Sequence, residues 1–118
     1  MAAPNIASAS ANVNGKTNIL QATNTETDII ASIATGHCAR VEAVYATNIH
    51  ASATGWVTLV LKRGGTSYRV VFQLSIPPNN SVNLLGGRIL YLEESDALRI
   101  QANASSNIEA VATYEDVS

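Results

Sequence analysis

Apolar and polar side chains alternate through residues 56–76 on either side of a Gly64-Gly65 break, the pattern of a β-hairpin closed by a two-residue loop. Closing the chain there sets Arg63 against Thr66. Leu61 then meets Tyr68, Leu59 meets Val70 and Val57 meets Phe72, all on one face because successive strand residues point to opposite sides. The other face carries Lys62 with Ser67, Val60 with Arg69, Thr58 with Val71 and Trp56 with Gln73. A slip of one residue would turn the apolar row to water, so the pattern specifies the register.

The same period recurs elsewhere. Strands are expected at 18–22, 28–33, 38–48, 55–62, 67–76, 81–85, 88–91, 97–102 and 108–115, separated by clusters of Asn, Thr, Gly, Pro and Asp that favour turns. No stretch keeps a helical period. Leu98, Ile100 and Ala102 form one inward row, and Ile108, Ala110, Ala112 and Tyr114 form another. Small alanines among larger residues suit two closely packed layers. The expectation is an all-β, antiparallel β-sandwich or jelly roll of about eight strands, with a closed barrel as the alternative.

Residues 1–16 are small and polar, with Ile6 and Val13 as the sizeable apolar anchors. Too little apolar surface is present for a packed core, so this stretch reads as a flexible or extended N-terminal arm preceding one sandwich domain at 17–118. In a sequence of 118 residues one ordinary domain can bury most of its apolar surface. The start lacks the basic and unbroken apolar regions of a secretory signal, and no later apolar run approaches the length of a membrane helix. A soluble, non-membrane protein is expected.

Charge adds little. The formal net charge is −2 and the seven cations are scattered, which gives no basic field for nucleic acid. Charged residues are 14% of the chain, and a polar, weakly charged surface suits adhesion or assembly. Cys38 is the one cysteine, so an internal disulfide is excluded and a cysteine-based zinc site has no support.

Candidate chemistry is sparse. His37 and Cys38 could in principle make a thiolate, but neighbours on a strand point to opposite faces. His50 sits in a polar loop, and two histidines without further ligands do not define a metal site. The acidic run Glu93-Glu94-Ser95-Asp96 lacks the glycine and spacing of a calcium loop; it reads as a turn in which Asp96 caps the backbone. There is no nucleophile elbow and no phosphate-cradling loop. No catalytic residue, cofactor or metal is assigned. Most aromatic residues fall on inward rows, Trp56 excepted. In the expected register Trp56, Val60 and Val71 form an apolar stripe on the outer face, a candidate assembly contact together with Ile6 and Val13.

An ordered set of segments resembles the small β-sandwich structural proteins of tailed-bacteriophage virions. It comprises Val44-Tyr45-Ala46-Thr47-Asn48, the hairpin at Gly64-Gly65-Thr66, Ser75-Ile76-Pro77-Pro78-Asn79-Asn80-Ser81, Leu84-Leu85, and the run from Leu90 through Glu93-Glu94-Ser95-Asp96 to Ile100, then a last strand ending at Tyr114. The chain departs from that pattern at Glu94-Ser95-Asp96, where a glycine is expected before the aspartate. The resemblance implies a non-enzymatic virion component, made in the host cytoplasm. Implied roles are a capsid decoration or cement protein, or a neck, collar or tail-associated protein. Implied partners are further copies of itself and other virion proteins such as the major capsid protein. The competing class is a carbohydrate- or receptor-binding module, in which loop aromatics would stack on sugar rings.

Overall fold

The computed structural model describes residues 12–118, which contain nine strands: β1 (Val13–Ala22), β2 (Thr27–Ile30), β3 (Cys38–Asn48), β4 (Gly55–Arg63), β5 (Thr66–Ile76), β6 (Ser81–Asn83), β7 (Leu90–Leu92), β8 (Ala97–Ala102) and β9 (Ile108–Val117). One sheet has the order β1-β9-β3-β6, with β7 pairing β3 beside β6; the other has the order β2-β8-β4-β5. Every pairing is antiparallel. The chain changes sheet at nearly every connection, which is the strand order of a jelly roll with its sixth strand split into β6 and β7. The sandwich expected from the alternation is therefore present.

Its core is built by the expected rows. Val57 and Leu59 of β4, Leu98, Ile100 and Ala102 of β8, and Ile108, Ala110, Ala112 and Tyr114 of β9 are buried, with Val41 and Val44 of β3 across from them. Polar atoms that enter the interior are satisfied. Asn48, 1% exposed, donates its side-chain amide to the carbonyls of Ala53 and Ile76, and its Oδ1 accepts the His50 N–H. This ties the end of β3 to the loop before β4, where a stranded amide would destabilise the fold.

Two expectations need correction. Residues 13–16, assigned to the arm, are the start of β1 and pair with residues 114–117 of β9. An edge strand that buries one face needs few apolar residues, so its polar composition is compatible with pairing; residues 1–11, Ile6 among them, lie outside the described residues. The hairpin turn forms as expected, with φ of 61° at Gly64 and 80° at Gly65, and its first pairs, including Leu61 with Tyr68 and Val60 with Arg69, are the expected ones. Beyond them the register shifts twice. Leu59 faces Val71 in place of Val70, and Val57 faces Leu74 in place of Phe72. Each shift is a bulge, in which an extra residue on one strand re-aims those that follow. At the second, Gln73 takes a φ of 47° and its N–H donates to the Thr58 hydroxyl at 3.0 Å.

Candidate assembly surfaces

The edge strand β5 displays apolar residues that the alternation assigned to the core. Tyr68 is 56% exposed, Val70 39%, Phe72 61% and Leu74 37%. Tyr68 lies opposite Leu61 and so shares the core-side face, but across from β5 the first sheet offers the two three-residue strands β6 and β7 and the turn between them. A hollow of about 390 Å³ opens there, lined by Val70, Leu84, Leu85, Ile89 and Leu90 together with Asn83 and Arg88. Ile89, 40% exposed, extends the apolar rim. Phe72 turns to the outer face and carries the Arg69 guanidinium 5.1 Å above its ring centroid.

The stripe expected on the outer face is arranged differently. Val71 pairs with Leu59 and packs against the core, because the bulge at Val70 turns it inward. Val60 remains on the outer face but is 1% exposed, flanked by Arg69 and Arg99 on the neighbouring strands. Trp56 is half-buried, and its backbone N–H donates to Asn103 Oδ1 at 3.2 Å. Val13 is 50% exposed at the start of β1. Trp56, Val60 and Val71 thus do not share one exposed patch. The aromatic residues depart furthest from expectation: Tyr45, Tyr68, Phe72 and Tyr91 are all exposed, and Tyr114 alone of the inward set is fully buried.

The polar residues singled out for chemistry act as bolts between segments. His37 Nδ1 lies 2.9 Å from Asp116 Oδ1, and Lys16 Nζ lies 3.2 Å from Asp116 Oδ2, joining β1, β9 and the loop before β3. Burial opposes ionisation of Asp116, but His37 and Lys16 outweigh it and hold the carboxyl below the usual range. Cys38 is buried, and burial together with the nearby Asp116 pushes its thiol up, away from the thiolate a nucleophile requires. His50 Nδ1 accepts the backbone N–H groups of Ser52 and Ala53, which closes its own loop. In the acidic turn, Asp96 is 1% exposed; its carboxylate takes both Arg63 Nε (2.8 Å) and Arg63 Nη2 (2.5 Å) and accepts the Glu93 N–H at 2.8 Å. Glu94 reaches the Gly36 N–H. Among the described residues no group of three His, Cys, Asp or Glu side chains converges as a metal site would require.

No family model matches the chain, and no curated protein matches it. Among solved structures it is similar to a chain of Bacillus endospore appendages, described as forming a novel family of disulfide-linked pili. The two are 15% identical, with a TM-score of 0.52 over 90% of this chain and 86% of that one. The shared feature is the fold. At that identity the likeness extends to the two-layer β architecture and leaves the side chains on its surfaces to be read from this chain alone. Sequence reasoning missed the β5 surface because a bulge at non-glycine residues has no composition signal. The alternating run 68–74 was visible, but its direction was not.

Proposed function

We propose that the chain is a non-catalytic structural subunit that assembles with further copies of itself. The observation that carries this reading is β5, an edge strand displaying Tyr68, Val70, Phe72 and Leu74 beside a hollow of mixed apolar and polar lining. Taking such a side chain from full exposure to full burial is worth about 1.5–3 kcal/mol, and these four, divided between the two faces of β5, still expose 37–61% of their surface, so covering either face favours association. The fold shared with an appendage protein supports the reading. Growth here does not rest on disulfides: the one cysteine, Cys38, is buried, and one thiol per chain could link no more than two copies. Within this reading a bacteriophage virion is the proposed assembly, on the resemblance of its ordered segments to those of tailed-phage sandwich proteins; decoration, neck, collar and tail are its candidate positions.

Sedimentation velocity over a concentration series tests self-assembly. The wild type is expected to grow with concentration, and Tyr68→Glu/Phe72→Glu is expected to stop that growth at the smallest species. A wild type that stays a single chain throughout, or a double variant with the wild-type distribution, would overturn the proposal. Purified particles that lack the chain by mass spectrometry would remove the virion from it.

A further inference from the structure

The other long edge of the sandwich is β1, and it is built differently from β5. Asn12 and Ser118 exchange both backbone hydrogen bonds, at 2.8 and 2.9 Å, and the ladder between β1 and β9 runs on without a register shift. Bonding alternates along an antiparallel pair, so residues 14, 16, 18, 20 and 22 turn their N–H and C=O groups to β9. Val13, Gly15, Thr17, Ile19 and Gln21 turn theirs the other way, where no strand pairs with them among the described residues. Natural edges are commonly protected by bulges, proline or charge. β5 has two bulges; β1 has no bulge and no proline, and its single charge, Lys16, is held by Asp116.

We propose that β1 pairs antiparallel with β1 of a second copy, about a two-fold axis through Thr17, joining the two β1-containing sheets into one. This rests on the self-assembly reading and names one of its contacts. The strand is self-complementary in that register. Val13 meets Gln21, Gly15 meets Ile19 and Thr17 meets its own counterpart, so all five outward residues exchange their backbone groups. Ile19 is 78% exposed, and its opposite number is Gly15, where an added Cβ would find nothing within 4 Å. The bulky side chain of each copy therefore lies over the bare backbone of the other. Lys16 faces Asn18, so no like charges oppose each other. Centring the axis on Lys16 would set two lysines face to face, and centring it on Asn18 would leave Val13 unpaired.

The test uses charge at the axis. In the Tyr68→Glu/Phe72→Glu background the remaining species is expected to be a pair of 12.4 kDa chains. Adding Thr17→Lys, or Thr17→Glu, sets like charges directly opposite and is expected to weaken the pair by up to about fivefold, whereas an equimolar mixture of the two variants restores it. Thr17 is exposed, so melting curves taken at a dilution where parent and variants are all single chains should coincide and certify folding. Two variants that each pair as tightly as the parent would overturn the β1 contact while leaving assembly through β5 standing. Failure of the mixture to recover would overturn the two-fold register, since a contact with a different strand, or within one chain, cannot be rescued in trans. A wild type that never associates would remove both proposals.

Discussion

Replacing Asp96 by alanine is expected to destabilise the folded chain by about 2–3 kcal/mol. Its carboxylate holds the two-pronged contact to Arg63 at the tip of the β4–β5 hairpin and caps the Glu93 N–H in the turn before β8. Hydrogen bonds to a charged group are worth about 1.5–3 kcal/mol. The larger penalty of about 3–5 kcal/mol for stranding one member of a buried ion pair does not arise in full. The Arg63 side chain is 47% exposed and keeps Glu93 at 2.9 Å, so it is not left in a dry interior. With urea m-values of about 1–3 kcal/mol/M for small proteins, the midpoint should fall by about 1–2 M. Melts at two protein concentrations separate this loss from any effect on association. Acid provides a second readout. Arg63, aided by the Glu93 N–H, holds the Asp96 carboxyl below its ordinary value of 3.8. As pH falls through 3.8 the unfolded chain takes up this proton before the folded chain does. The stability contributed by Asp96 is therefore complete above about pH 5 and is lost below about pH 4. Asp96→Asn should flatten that part of the acid slope, leaving the part due to Asp116. A loss under about 1 kcal/mol in Asp96→Ala, or an undiminished acid slope in Asp96→Asn, would refute the account of this turn.

Gly55→Ala should destabilise by about 1 kcal/mol in the same urea assay, because the new methyl would lie 3.0 Å from Asn103 Oδ1 and 3.3 Å from Ile108 Cδ1, forcing Asn103 off the Trp56 N–H; an unchanged midpoint would contradict this. Cys38, buried and with its thiol pushed up, should react with iodoacetamide far more slowly in the folded chain than in urea, and assembly should be the same with and without reductant. Labelling at the unfolded rate, or assembly that reductant dissolves, would count against the burial and the non-covalent contact respectively.

Where one face of a strand meets a continuous apolar layer, alternation was enough to place its residues, as for Leu98, Ile100 and Ala102, or Ile108 through Tyr114. It failed in β5, where the shifts beside Val70 and Gln73 bring Val71 against the core and turn Phe72 outward. Gln73 is not a residue type that announces a φ of 47°, and the Thr58 hydroxyl that supports it comes from the neighbouring strand. The first half of β1 was hidden for a different reason: residues 13–17 hold one sizeable apolar residue, Val13, and so show no hydrophobic period. Further along the strand, Asn18 donates to the Ile29 carbonyl and the Tyr114 hydroxyl, a contribution made by hydrogen bonding and not by burial of an apolar side chain. The link between Arg63 and Asp96 likewise joins two turns that look independent along the chain. The candidate surface was legible as a suspicion about the hairpin's outer row, but the residues that form it came from the row assigned to the core.

The position of β9 has a consequence for how the molecule is made. It lies between β1 and β3, so the first sheet has no middle until residues 108–117 have been synthesised. Until then β1 has no neighbour in its sheet, β3 has only the short β6 and β7, and the inner face of the other sheet has little to cover it. Pairing the earliest described strand with the latest closes the longest loop in the chain, which is slow to form. Folding should therefore wait for the whole domain, and a chain interrupted before residue 108 would carry the same aggregation-prone edges without the sandwich that organises them.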